Sequence, residues 1–416
     1  MKSLFPLLRT EWRMLLFGFV MMFFSSPGQT YFIALFGGEI RQDLALSHGE
    51  FGALYSLATL ASAFILLLSG TMIDRIDLRR FATVVVLGLA ASCVLMSISM
   101  NNVMLFVAIL LLRQFGQGLM SMTAATAMVR HLADSKGKAN SLSNIGYSAA
   151  EAVLPSVVIL LLLTFTWRQA WVIVALVLVV CVPVLIFYLL RKPQVRHHCQ
   201  TVAAEERAAT GINSQRESVR QRQWTRSEVL RDPLFYLFIP ALLSQSLLYT
   251  GFMFHQIHLV NEKGWPLLVW GSMYLLFSLT AITTSLVTGV LVDKVGAVRL
   301  APLVTAPMAL GLLVLSSSSS TLVAALFMFC MGASTGAQAA ITTPFFSERY
   351  GNKYFGAIKS LGTFVMVLMT AVSPVILGWF IDRGVGMDAL AQGSALYALL
   401  VITLGYTAYR ISLAAP

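Results

Sequence analysis

Two stretches decide how this chain is read: Gly70-Thr-Met-Ile-Asp74-Arg75-Ile-Asp77-Leu-Arg79-Arg80 and Gly289-Val-Leu-Val-Asp293-Lys294-Val-Gly296-Ala-Val-Arg299. Both fit G-x-x-x-D-[RK]-x-x-x-x-R, and they lie 219 residues apart. The same ungapped offset carries Gly52, Tyr55 and Leu57 onto Gly271, Tyr274 and Leu276. It also carries Arg130, Gly137, Ser141 and Pro155 onto Arg349, Gly356, Ser360 and Pro374. Apolar matches are cheap in a hydrophobic chain. Matches at Gly, Asp, Arg, Tyr and Pro in one register mark a duplication.

Working outward, each copy sits among long apolar segments. Of the 416 residues, 57% are hydrophobic and 11% charged, against about 25% charged in a soluble domain. That balance argues against a soluble protein. Twelve apolar segments are expected to span a bilayer: 13–36, 50–73, 81–100, 103–127, 139–165, 169–190, 233–257, 267–292, 300–317, 321–344, 355–380 and 389–410. Each is near the roughly 20 residues a membrane helix needs. A β-barrel would alternate with period two over about 10 residues, which these runs do not. The fold class is therefore all-α and membrane-embedded. The Pro27-Gly28 pair is expected to kink the first span. That segment is too long for a cleavable signal and lacks a small-residue cleavage site after it.

The net charge of +11 raises nucleic-acid binding as a reading, so the position of the charges decides. With the N-terminus inside, 24 of the 29 basic residues fall on the cytoplasmic side. This asymmetry orients the chain with both termini cytoplasmic and accounts for the charge without nucleic acid. Six spans in each repeat return the chain to its starting side. The domains expected are a six-helix half at 1–190, a polar cytoplasmic linker at 191–232 and a second half at 233–416. Parallel repeats of this kind suit a transporter that rocks about a midplane site.

The paired loop motif is the signature of the major facilitator superfamily, which the chain resembles over its whole length. The first copy departs from that signature. Ile76-Asp77-Leu78 lacks the glycine that the second copy keeps as Gly296. The resemblance implies alternating access. Gly70, Asp74, Arg75 and Arg80, with Gly289, Asp293, Lys294 and Arg299, would gate the cytoplasmic side. Arg113-Gln-Phe-Gly116-Gln-Gly118 looks like the family's Arg-containing fourth-helix motif. Lys136-Gly137-Lys138-Ala139-Asn140 resembles the fifth-helix entry of the monocarboxylate and oxalate:formate branch. Glu348-Arg349-Tyr350-Gly351 resembles its counterpart in the second half. That branch implies a small carboxylate moved with protons. Its members commonly carry a basic residue in the eighth span, and here Leu267 to Val292 holds no charge.

Charge at membrane depth narrows the site. Arg113 and Glu151 are the base and acid near mid-span, where a charge costs about 2.5–3.5 kcal/mol to insert. Arg113 shares a helical face with Gln117, and Glu151 shares one with Asn144, Tyr147 and Ser148. Three readings stand: an Arg113–Glu151 ion pair, Arg113 binding an anion while Glu151 carries a proton, or Glu151 binding a cation. The family's cavity-lining spans add Gln29, Tyr31, Tyr249, His255, Gln256 and Gln338 as substrate-binding candidates. The function expected is proton-coupled symport of a small organic anion across a bacterial inner membrane. The alternative is a drug or metabolite exporter of the same superfamily. No enzyme activity, cofactor, metal or nucleic-acid partner is expected, and the chain is expected to act as a monomer in the bilayer. No phosphate-binding Gly-Lys motif or metal-ligand spacing is present in the sequence.

Overall fold

The structure, a computed structural model, describes residues 11–69, 72–73, 76–132, 136–191, 223–351 and 353–414. Gly70, Asp74 and Arg75 of the first loop motif lie outside the described residues, as does 192–222 of the expected linker. So do the side chains of Lys136, Gly137 and Lys138. The chain forms two compact units, Met1–Val202 and Ala203–Pro416. Every regular element among the described residues is helical.

Eleven helices among the described residues are long and apolar enough to cross a membrane. They correspond to the second to the twelfth segments of the sequence reading. The first expected span is broken instead. It comprises α1 (Trp12–Phe23), a 3-10 turn at Ser26–Gly28, α2 (Thr30–Leu35) and α3 (Gly37–Asp43). Pro27 has no N–H to donate, and Gln29 is extended at φ −88°, ψ 150°. The helical ladder is thereby cut at the Pro27-Gly28 pair.

The first unit continues through α4 (His48–Ser69), α5 (Leu78–Ser97) and α6 (Asn102–Leu112). Asn101 caps α6 by accepting from the Met104 N–H. A π-helical turn follows at Arg113–Met120, then α7 (Ser121–His131), α8 (Lys136–Leu162) and α9 (Trp167–Leu189). The second unit holds α10 (Arg226–Arg231), α11 (Pro233–Phe254), α12 (Gln256–Lys263) and α13 (Leu267–Val295). It closes with α14 (Ala297–Leu300), α15 (Ala306–Leu315), α16 (Thr321–Tyr350), α17 (Phe355–Asp382) and α18 (Met387–Ala414).

Helix α13 runs past the expected end of its span to Val295, so Asp293 and Lys294 are helical rather than loop residues. Only Gly296, at φ 86°, leaves the helix, a conformation in which a side chain would be strained.

Lipid provides no hydrophobic force between helices, so close packing of small residues takes its place. Gly28 and Gly116 meet where the broken helix crosses the π-helical turn. A Cβ on Gly28 would stand 2.2 Å from the Leu112 carbonyl, and one on Gly116 would stand 2.7 Å from the Gly28 Cα. Gly146 lies against the Phe19 carbonyl in the same manner, at 2.2 Å. These contacts are backbone to backbone and have no flexible side chain to yield. Gly116→Ala is expected to destabilise detergent-purified protein by about 1–3 kcal/mol. Gly393→Ala, with no atom within 4 Å of the added methyl, is expected to leave the same thermal melt unchanged or slightly higher.

Candidate functional site

The π-helical turn places Arg113 at its first position, and such turns recur at functional sites. The side chain is 2% exposed. Its Nη1 donates to the Gly28 carbonyl at 3.1 Å and to Thr30 Oγ1 at 3.4 Å. The break in the first helix thus supplies a carbonyl, and Arg113 takes it up. Thr30 Oγ1 also meets the Tyr55 hydroxyl at 2.6 Å, and the guanidinium lies 5.3 Å from the Tyr55 ring centre. Arg113 Nε is buried without a hydrogen-bond partner.

Tyr147 is a second electrostatic neighbour of Arg113. Its ring stands edge-on to Tyr31 at 6.3 Å. Tyr31 in turn lies within electrostatic range of Glu151, which is 4% exposed. The first unit therefore gathers one base, one acid, three tyrosines and Thr30 from α2, α4, the π-helical turn and α8. Arg113 finds its hydrogen-bond partners on the broken helix rather than on Glu151. Tyr31 was a sequence candidate. Tyr147 was visible only as a face-mate of Glu151, and Tyr55 only as a match to Tyr274. Nothing in their spacing marks them as site residues.

Gln29 is buried and donates to Ser25 Oγ at 3.4 Å. Gln117 is exposed. Its neighbour Gln114 takes the inward position and donates to Ser69 Oγ at 2.7 Å.

In the second unit the site candidates are amides, a tyrosine and a histidine. Gln256 is fully buried, and its Oε1 accepts from Trp270 Nε1 at 2.9 Å and from the Tyr274 hydroxyl at 2.8 Å. Gln338 accepts from Ser246 at 3.0 Å and donates to the Leu242 carbonyl at 3.0 Å. His255 binds the Pro374 carbonyl through Nε2 at 2.9 Å, which places a proton on that nitrogen. Tyr249 stacks on Phe277 at 5.5 Å. Gln245, which donates to Thr335 Oγ1, keeps a buried Oε1 without a hydrogen-bond partner.

The gating candidates lie at the other end of each unit. Arg80, Asp293, Lys294 and Arg299 are exposed, and nothing stands within 4 Å of a Cβ built on Gly289. The structure explains why the two loop copies differ. In the first copy Asp77 caps α5, accepting from the Arg79 and Arg80 N–H groups at 3.1 and 3.4 Å. The equivalent residue in the second copy, Gly296, has no side chain. Glu348 from α16 supplies the carboxylate instead, accepting from Ala297 at 2.7 Å and Val298 at 3.1 Å. The residue equivalent to Glu348 in the first repeat is Val129. Each repeat thus carries one carboxylate at this helix start, drawn from different positions. Sequence reading noted Glu348 only as part of a motif, because its target lies fifty residues away.

Asp77→Ala is expected to cost about 1 kcal/mol of stability in the thermal melt, the usual worth of a cap. Adding Val129→Glu is expected to restore part of that loss.

The Major Facilitator Superfamily model matches residues 18–374. Among solved structures, a bacterial homolog of the human lysosomal transporter Spinster, in an inward-facing unoccupied conformation, is similar at 13% identity and TM-score 0.67. That match covers 96% of this chain and 98% of that one. The nucleoside transporter NupG is similar at 12% identity and TM-score 0.68, covering 96% of this chain and 98% of that one. A search of curated proteins finds no match.

Proposed function

Because this chain belongs to the Major Facilitator Superfamily, and is therefore an integral multi-pass membrane protein of a transporter family, we propose that it moves a small organic anion, a monocarboxylate, together with protons by alternating access. The reading takes the broken α1–α3 segment as the first of twelve spans. It puts both termini in the cytoplasm and the protein in a bacterial inner membrane as a monomer. The observation that carries it is the buried Arg113, held by one carbonyl and one hydroxyl while its Nε–H has no hydrogen-bond partner.

A buried guanidinium favours a carboxylate over a neutral ligand, and the charge-assisted bonds so formed are the strong ones. An arriving carboxylate offers Arg113 better acceptors than the 3.4 Å contact to Thr30. The Thr30 hydroxyl can then donate to the same ligand. Glu151 faces the tyrosine side of the cluster. A second negative charge entering this region raises the free energy of the Glu151 carboxylate, so anion binding and protonation of Glu151 favour each other. Loaded with both, the cluster gains no net charge, which lowers the cost of moving it through the low-dielectric state between openings.

Purified protein is expected to be stabilised against heat by L-lactate. Arg113→Ala is expected to abolish that stabilisation and to cut lactate uptake into proteoliposomes about 10–100-fold, the cost of losing a hydrogen bond to a charged group. Stabilisation by lipophilic cations alone, untouched by Arg113→Ala, would overturn the anion reading. Glu151→Gln is expected to abolish uptake driven by a pH gradient and to spare lactate counterflow. Gradient-driven uptake at the wild-type rate in that variant would remove Glu151 as the proton carrier.

A further inference from the structure

At the end of each unit remote from the Asp-bearing loops, a cation binds two backbone carbonyls and an acid. In the first unit Arg168, at the start of α9, donates Nη1 to the Ser97 and Ser99 carbonyls at 3.0 and 2.7 Å. Its Nη2 meets Asp43 Oδ2 at 2.9 Å, and Trp167 Nε1 donates to the same oxygen at 3.2 Å. In the second unit Lys263, at the end of α12, donates Nζ to the Leu315 and Ser318 carbonyls at 2.7 and 3.0 Å. It pairs with Asp388 on α18. Beside it Glu262 accepts from the Met387 N–H at 2.7 Å.

The 219-residue offset superimposes the two sets. Asp43-Leu44 falls on Glu262-Lys263, Arg168-Gln169 on Met387-Asp388, and Ser99 on Ser318. The cation belongs to the last helix of the first unit and to the outer piece of the first helix of the second. Its chief acid lies on the opposite element in each case. The carbonyls that end α5 and α15 are bound in both. Isolated exposed ion pairs contribute little, but these cations are not isolated. The Lys263 side chain is 2% exposed, and two carbonyls take two of the three N–H donors of its ammonium while Asp388 balances its charge.

What is held is the same in both units. Helix α3 follows a break at Phe36, with φ −92° and ψ −1°. Helix α12 follows a break at His255, with φ −95° and ψ 20°. Phe36 and His255 are themselves 219 residues apart. A broken helix passes less rigidity along its own ladder, so each outer piece needs an anchor. Thr30 and Tyr31 lie just before one break, and His255 and Gln256 lie at the other.

We propose that Asp43–Arg168 and Lys263–Asp388 are equivalent, charge-exchanged clamps that position these site residues by fixing the outer pieces of the two broken helices. The clamps stand on geometry alone. Their consequence for transport rests on the function proposed above.

Hydrogen exchange on full-length purified protein tests them without a substrate. Arg168→Met is expected to speed exchange across 30–46 about 10-fold, because local opening becomes easier, and to leave 321–350 unchanged. Leu44→Lys with Gln169→Asp, added to Arg168→Met, rebuilds the second unit's arrangement in the first and is expected to restore slow exchange. Lys263→Leu is expected to speed exchange across 256–264. Met387→Arg, which gives Glu262 a cation, is expected to reverse it. Unchanged exchange in the broken variants, or rebuilt variants that exchange as fast as the broken ones, would overturn the proposal.

If Arg168→Met does not accumulate as folded protein, recovery of monodisperse protein on rebuilding supports the clamp, and equal failure contradicts it. Where lactate is transported, a positioning role raises the half-saturation concentration of Arg168→Met. A merely stabilising role leaves it unchanged in the folded fraction. Absence of lactate uptake in the wild type would count against the proposed function and leave the exchange result to decide the clamps.

Discussion

A polar backbone group freed inside a bilayer has no water to turn to, so every break in a membrane helix must be repaired by the protein itself. The first helix is cut at Pro27-Gly28, and the carbonyl of Gly28 is repaired by the guanidinium of Arg113. The buried guanidinium is thereby tied to the broken first helix. Thr30, Tyr55, Tyr31, Tyr147 and Glu151 extend that repair into one polar cluster. Glycines bring the backbones close enough for it. Without the Gly28–Gly116 contact, Arg113 would stand too far from the carbonyl it binds.

The duplication shows the same problem solved twice with different residues. The second unit breaks its long Pro233–Lys263 helix at His255 and uses a histidine and an amide there. His255 binds a carbonyl, and Gln256 binds Trp270 and Tyr274. At the position equivalent to Arg113 stands Gly332, packed against the Phe277 carbonyl. The charged cluster therefore belongs to the first unit, and the candidates of the second unit are amides, a tyrosine and a histidine. The helix starts after the two loops follow the same logic, with Asp77 in one copy and Glu348 in the other supplying one carboxylate each. The place in the fold that needs a charge is kept while the position that supplies it changes.

This also sets what was legible in the sequence. Eleven of the expected spans and the break at Pro27-Gly28 follow from apolar run length and from proline's missing N–H, which are local properties. The burial of Arg113 and Glu151 was legible for the same reason. The π-helical turn at 113–120 was not, because it depends on Gly116 meeting Gly28 more than eighty residues away. Tyr55 and Tyr147 were hidden among the other apolar-tolerant aromatics, since a tyrosine in a span looks the same whether it packs or serves a charge. The Glu348 cap and the exchanged clamps required knowing which helix ends are neighbours. Asp293 and Lys294, read as loop residues, continue α13 because no residue before Gly296 forces a stop.

The central claim is that anion binding at Arg113 and protonation of Glu151 favour each other. Infrared difference spectroscopy of lactate-loaded against lactate-free protein reads this directly at a pH where free Glu151 is ionised. The account predicts a protonated carboxylic-acid band that appears with lactate and is missing in Glu151→Gln. A wild-type spectrum in which lactate binds and no such band appears would contradict it.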